Sequence, residues 1–412
     1  MKEEKLIDVL VIGAGPAGAL ASAQLARAGF GVRVLEKQRF PRFSIGESLL
    51  ANSLQFIESA GMLEAVLRRG FQFKNGAAFV RNGRYSEYNF ADKSSEGPAF
   101  TFQVPRADFD HTLALEAGRM GADVRYEVEI TAVDFGAEPV VVHSRAADGS
   151  MAEHRARFVL DASGFGRTLP RLLGLDRPSD FPVRAALFTH IEDHVEAGAF
   201  DRQKIRVSIH PREQDVWYWL IPFSNGRSSL GVVASRDFHG RFKGSTEERL
   251  WQLVREEPSL AELLSRAKPV AQVGEIVGYA ASVSALHGKG FALLGNAAEF
   301  LDPVFSSGVT IAMQSARLAA DALARQLRGE AVDWNASFDE PLMYGVETFR
   351  AFVSAWYDGS LQDIIFFERP EPTTRRRICA VLAGYAWDRE NPFTGPRAAQ
   401  RLRALAEVCR RG

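Results

Sequence analysis

The chain has 412 residues, with 50 basic and 51 acidic side chains, so its charge is balanced and points to neither nucleic acid nor an anionic membrane surface as a partner. Its composition is that of an ordinary globular protein, long enough for two interleaved domains, and no stretch is apolar enough to span a bilayer. Two cysteines, Cys379 and Cys409, make neither a disulfide framework nor a metal-ligand spacing, which fits a reducing cytoplasm, and no metal is expected.

The N-terminus carries acidic residues early, and its apolar run flows into a glycine motif, so it does not read as a signal peptide. In "LIDVLVIGAGPAGALASAQLARAGFGVRVLEK" the pattern is strand, tight turn, helix, strand. Leu6 to Ile12 reads as a buried strand, Ala19 to Ala28 as a helix closed by Gly29, and Val32 to Leu35 as a second strand ending at Glu36. Gly13, Gly15 and Gly18 form G-x-G-x-x-G, with Ala17 inside it. Gly13 permits the turn, Gly15 lets a pyrophosphate approach, and Gly18 lets helix and strand pack closely. Helix amides then face the phosphates, Glu36 can accept from a ribose hydroxyl, and Lys37 beside it joins the candidate binding set.

Further along, "ARFVLDASGFGRTLPRLLG" is a strand ending at Asp161, followed by a loop through Gly164 to Arg167. "KIRVSIH", "VWYWLIP" and "SSLGVVAS" alternate as an antiparallel sheet would. Alternation puts Trp217, Trp219 and Ile221 on one face of their strand and Tyr218 and Leu220 on the other, with Pro222 at its end. His190 and His194 in "HIEDH" lie too far apart on a strand to share a metal and read as solvated. "GFALLGNAAEFLDPVFSSGVTIAMQSARLAADALARQLRG" is a strand, a loop from Gly295 to Ser307, and a helix from about Gly308 to Leu327. The start of that helix offers amides and a dipole to an anion, with Ser307 and Gly308 as the candidates. From about 331 onward the chain is mainly helical and aromatic, which suits either a substrate wall or core packing. The arginine run Arg375-Arg376-Arg377 reads as a solvated face, with docking of an acidic carrier as the sharper alternative.

One upstream dinucleotide motif plus a second Gly-rich strand-loop-helix near residue 300 is unlike a simple NAD dehydrogenase. The chain resembles the FAD-dependent aromatic hydroxylase superfamily, and within it the flavin-dependent halogenases. The residues carrying the resemblance are W-x-W-x-I-P at Trp217 to Pro222, Gly46-Glu47-Ser48 in "FPRFSIGESLL", Lys74 in "GFQFKNGAAF", Arg106 in "FQVPRADFD", the loop "GNAAEFLDP", and "LAGYAWDRENPF" near the C-terminus.

The resemblance implies an α/β fold: a Rossmann-like FAD-binding domain of the glutathione-reductase/aromatic-hydroxylase type, an antiparallel β-sheet domain on the substrate side, and a helical C-terminal region. Their expected bounds are 1–180 with 265–330, 181–264, and 331–412. It also implies FAD, used as FADH2 from a separate flavin reductase, with chloride or bromide as co-substrate. Ser48, Arg106, Asp161, Gly164, Asn296, Asp302, Gly308 and Val309 join the glycine motif in the implied cofactor set. Asn296 stands where the family usually has Asp, which keeps an acceptor and loses a charge.

In that family halide is oxidised to hypohalous acid, which reaches a lysine beside an electron-rich aromatic substrate. Lys74 is the implied catalytic residue, and Phe71, Phe73 and Phe79 suggest an apolar setting for it. Trp217, Trp219, Ile221, Pro222 and Phe305 would line the tunnel. Phe305 stands where tryptophan halogenases have Glu, which argues against free tryptophan and for a phenol- or pyrrole-like ring, free, on an acyl carrier protein, or heading an aryl polyene. Two alternatives stay open: an FAD monooxygenase or dehydrogenase without halide chemistry, and a non-catalytic flavin-binding partner of a biosynthetic complex.

Overall fold

A computed structural model describes residues 6–411. The first five residues, on which the signal-peptide reading partly rests, lie outside the described residues.

Ile7–Ile12 is buried on both faces because it is an inner strand of a parallel sheet, flanked by Val32–Glu36 and Met151–Asp161. Asp123–Tyr126 extends the sheet on one side and Phe291–Leu293 on the other, all in parallel. Helix Pro16–Arg27 begins three residues before the expected position, because Pro16 suits the first turn, where its missing N–H costs no hydrogen bond. Gly29, at φ +93°, closes it in the left-handed region. The alanine-rich face of this helix packs on the long helix Ser307–Leu327.

A second sheet carries the tryptophans. Arg184–Glu192, Arg227–Ser235, Trp217–Pro222 and Lys204–Ile209 run antiparallel in that spatial order. Lys204–Ile209 then pairs in parallel with Gly76–Arg81, which makes a hairpin with Arg84–Asn89. The sheet thus recruits residues 76–89, and Gly274–Val277 on its other side, from the segments assigned by sequence to the FAD domain. Parallel pairing between distant strands has no local signature, and this is why the boundaries at 180 and 265 do not delimit the sheet.

A small third element pairs Gln72–Lys74 with Thr101–Gln103. Helices Glu340–Tyr357, Ser360–Ile365, Pro372–Leu382 and Ala398–Arg411 close the molecule. Phe349, Phe352 and Trp356 are fully buried, so much of the C-terminal aromatic content is core. The arginine run is not a free solvated face. Arg375 donates to Glu87 O and lies over the Tyr88 ring at 4.4 Å, and Arg376 donates to Asp92 O at 3.2 Å. The two arginines tie helix Pro372–Leu382 to the edge strand of the second sheet and to the turn that follows it. No helix among the described residues is long and apolar enough to cross a membrane.

Candidate functional site

At the nucleotide end, Gly15 is the N-cap of Pro16–Arg27 and brings no side-chain cap, so the first-turn amides stay open to an anion. Gly13 has φ +94°, and a Cβ there would meet Ala162 O at 2.7 Å. A Cβ on Gly18 would lie 1.9 Å from Gly13 O, so helix and turn touch backbone to backbone. A Cβ on Gly15 would meet only Arg42 Nη2, at 3.6 Å. That leaves the turn approachable at Gly15, with a guanidinium beside it.

Glu36 is buried and braces the turn. Its Oε2 accepts from Ala14 N and its Oε1 from Gln38 N, each at 2.8 Å. A carboxylate has further lone pairs, and these suit a ribose hydroxyl. Lys37 is 70% exposed and its amine pairs with Glu129 at 2.7 Å.

Arg42 was missed by sequence reasoning; the only signal was a basic residue just before the Gly46-Glu47-Ser48 segment. It pairs with buried Asp110 at 2.9 Å. Asp110 also holds Arg106 through two bonds of 2.8 and 2.9 Å, and Arg106 donates to Ile45 O at 2.7 Å and Gly46 O at 3.3 Å. Arg106 is therefore a buried clamp on the Gly46 loop. A Cβ on Gly46 would meet Arg106 at 3.1 Å and Val309 at 3.9 Å, so this loop, Arg106 and the start of helix Ser307–Leu327 converge.

Helix Ser307–Leu327 starts without a side-chain cap: Ser306 sits in the left-handed region at φ 56°, and neither Ser306 nor Ser307 closes the amides. Open amides at Ser307 and Gly308, with the helix dipole behind them, suit a halide or an anionic ring. Asn296 Oδ1 lies 3.8 Å from where a Gly308 Cβ would be. Arg167 holds this loop by donating to Asn296 O at 3.1 Å and Ser282 O at 2.8 Å.

Two acids of the implied cofactor set brace their own loops, as Glu36 braces its turn. Asp161, fully buried with its carboxyl pushed above the usual range by burial, accepts from Ser163 N at 2.8 Å and Leu169 N at 2.6 Å. It shapes the loop carrying Gly164, which has φ +59°. Asp302 Oδ2 accepts from the hydroxyls of Tyr279 at 2.9 Å and Tyr357 at 2.6 Å, and Oδ1 from Val304 N at 3.1 Å. These three bonds make Asp302 an anchor for the loop.

Tyr357 also accepts from Trp217 Nε1 at 3.1 Å, which links the tryptophan strand to that loop. Trp217, Trp219 and Ile221 face the main core, and Tyr218 and Leu220 face a second cluster under the helices that follow residue 235. Trp219 lies over Gly231 directly across the strand pair, where a Cβ would be 2.2 Å from the ring, and its Nε1 donates to Ser229 at 3.1 Å. Phe305 meets Trp356 edge-on at 5.7 Å, and Trp356 meets Phe79 at 5.9 Å, making an apolar wall.

His190 differs from its expected solvated state. Its Nε2 is 2.7 Å from buried Glu47 Oε1, and its ring sits between Phe43 and Phe223. His194 is half-exposed, with Glu192 at 3.6 Å.

Lys74 is 1% exposed, its Nζ donates to Leu49 O at 2.7 Å, and the Phe90 ring is 5.3 Å away. Burial lowers its pKa to about 7, so near neutral pH the amine is available in both protonation states. The expected apolar setting exists, with Phe90 in it and Phe73 outside it. Phe73 is on the opposite side of the strand, 40% exposed and stacked on Phe100 at 5.3 Å.

Open amides at two helix starts, a glycine turn and Arg42 beside it fit a flavin adenine dinucleotide. Residues 6–336 match the family described as FAD binding domain. The chain is 30% identical to a 1H-pyrrole-2-carbonyl-[peptidyl-carrier protein] chlorinase of Pseudomonas fluorescens, over 92% of this chain and 89% of that one. Among solved structures, a flavoprotein/dehydrogenase from Cytophaga hutchinsonii shares 45% identity at a TM-score of 0.96, covering 99% of this chain and 100% of that one. The flavin-dependent brominase Bmp2 shares 27% identity at a TM-score of 0.79, covering 99% and 100%. The chain is thus an FAD-binding oxidoreductase that belongs to the flavin-dependent halogenase family.

Proposed function

We propose that this protein halogenates a phenol- or pyrrole-like ring, using FADH2 from a separate reductase, oxygen, and chloride or bromide, with Lys74 delivering the halogen. The observation that carries this reading is the burial of Lys74 with its amine poised near neutrality. A buried lysine without a carboxylate partner is costly to folding, and retaining one suits chemistry at its nitrogen.

Bound FAD, once reduced, would supply the two electrons that activate oxygen. The chain's own groups do the rest. The turn at Gly13, Gly15 and Gly18 with Arg42 would hold the pyrophosphate, and Glu36 a ribose hydroxyl. The amides of Ser307 and Gly308 would hold halide. Trp217, Trp219, Ile221 and Pro222, all buried in the sheet, and Phe305, packed on Trp356, would keep bulky rings from the flavin and leave a path for a small oxidant. The absence of a carboxylate at Phe305 and the similarity to a chlorinase of carrier-bound pyrrole support such a ring, loaded on an acyl carrier protein.

The test is Lys74→Ala assayed with a flavin reductase, bromide and phenol- or pyrrole-type substrates. Loss of brominated product with continued oxidation of FADH2 is expected; undiminished product would overturn the assignment. A second reading, dehydrogenation or hydroxylation on the same scaffold, is favoured by the similarity to the Cytophaga flavoprotein/dehydrogenase. It predicts product without halogen, whatever halide is supplied.

A further inference from the structure

Three buried polar atoms without partners gather beside Lys74: Ser48 Oγ, Thr101 Oγ1 and Gln103 Oε1. Strand register puts them on one face. Lys74 is opposite Thr101, and Gln72 is opposite Gln103, so the side chains of Lys74, Thr101 and Gln103 project from the same side of this pair. On the other edge of Thr101–Gln103, Ser48 bridges Gln103. The flanking bonds, Leu49 N to Phe102 O at 3.1 Å and Val104 N to Glu47 O at 2.7 Å, mark Ser48 and Gln103 as the closer, non-hydrogen-bonded kind of pair. Their side chains are therefore neighbours on that same face. Lys74 reaches Leu49 O, beyond the far edge of the same strand, so its chain crosses the strand on the face of Thr101 and Gln103.

Ser48, Thr101 and Gln103 are each at most 3% exposed. Gln103 is fixed in orientation, because its Nε2 donates to Arg202 O at 3.0 Å and its Oε1 is left as an acceptor. Unpaired buried groups of this kind are uncommon, and several sharing one spot imply a ligand or an ordered water.

We propose that Ser48, Thr101 and Gln103 form a socket for one small neutral hydroxylic molecule against the Lys74 amine: water at rest and hypohalous acid in turnover. The inference rests on the halogenase reading and adds the residues that hold the oxidant. Two hydroxyls can donate to the oxygen of such a molecule, and Gln103 Oε1 accepts its O–H. A bare halide fits badly, since Gln103 Oε1 offers it an acceptor and no donor. Held this way, the oxidant waits beside Lys74 instead of escaping.

The experiment compares Thr101→Val, which keeps the shape and removes the hydroxyl, with Thr101→Ser, which retains it. The holoenzyme receives FADH2, oxygen, bromide, a phenol or pyrrole substrate, and monochlorodimedone as a trap for free hypohalite. Thr101→Val is expected to raise the ratio of trapped to substrate-bound bromine by about tenfold, the loss of roughly one buried hydrogen bond, and Thr101→Ser to restore it. A wild-type ratio in Thr101→Val overturns the socket. A crystal structure of the wild-type holoenzyme is an independent check that no folding defect can spoil. A water bonded to Thr101 Oγ1 supports the socket, and a dry, apolar gap there overturns it. If the wild type halogenates neither substrate, the halogenase reading falls and hypohalous acid with it; an unchanged ratio in an enzyme that does halogenate removes only the socket.

Discussion

Trp217 and Tyr357 are joined by a hydrogen bond of 3.1 Å between the indole Nε1 and the phenol oxygen, and the same phenol donates to Asp302 at 2.6 Å. One relay thus ties the tryptophan strand, the helix Glu340–Tyr357 and the loop before Ser307. Burial and the Asp302 charge push the ionisation of both Tyr357 and Tyr279 well above the ordinary phenol range, so both remain donors. Asp302→Ala strands two buried phenols at once. It is expected to cost about 2–4 kcal/mol, whereas Trp217→Phe, which leaves the tyrosine–aspartate bonds in place, should cost about 1 kcal/mol. Urea unfolding of the two variants checks the ranking.

Lys74 should show its burial in stability as well as in activity. Its folded pKa is about 7 against about 10.4 in an unfolded chain. Between those values the unfolded state holds a proton that the folded state lacks, so this group makes stability rise with pH. Below pH about 7 both states are charged and its desolvation cost is complete. Lys74→Met removes that cost, so its stability advantage over wild type should be largest below neutrality and shrink toward pH about 10. Urea midpoints of both proteins across that range measure it; a constant difference would contradict the buried, depressed amine.

The glycines separate packing from binding. Gly18→Ala places a Cβ 1.9 Å from Gly13 O, and backbone cannot yield cheaply, so the flavin-free protein should lose about 2 kcal/mol or more. Gly15→Ala meets only Arg42 at ordinary contact distance. It should leave flavin-free stability within about 1 kcal/mol of wild type and weaken FAD binding at least about tenfold by blocking the pyrophosphate's approach. Thermal unfolding of the flavin-free protein and a flavin fluorescence titration distinguish the two effects.

Gly231→Ala should displace the Trp219 ring, whose atoms lie 2.2 Å from the new methyl's position. The expected cost is about 1–3 kcal/mol, with a changed near-ultraviolet dichroism signal. Pairing the change with Trp219→Leu, a smaller side chain, should recover part of the loss; equal losses in the single and double variants would show that the ring is not the obstacle.

Glu47 and His190 meet at 2.7 Å from distant parts of the chain. Glu47→Ala leaves the ring nitrogen of His190 without its partner and should cost about 1–3 kcal/mol. Glu47→Gln preserves a hydrogen bond and should cost about 1 kcal/mol. Urea denaturation of the two variants measures the difference.

Patterns confined to a few neighbouring residues were legible in the sequence. Strand, glycine turn and helix at Ile7–Arg27 follow from local sterics and periodicity, and the two faces of Trp217–Pro222 follow from the pleat. The resemblance points to Lys74, but adjacency in sequence does not give all of its neighbours. Phe73, adjacent in sequence, points to the opposite side, while Leu49, Phe90 and Thr101 make the lysine's surroundings. The clamp of Arg42 and Arg106 on Asp110, the pair Glu47–His190 and the relay from Trp217 to Asp302 were not legible, nor was the pairing of Lys37 with Glu129. The sequence by itself determined which backbone segments form and which face each presents, because those depend on hydrogen-bond periods of two or 3.6 residues. Only the tertiary structure decided which polar groups satisfy one another and which are left open for a ligand, because that depends on strand register and on contacts between residues far apart in the chain.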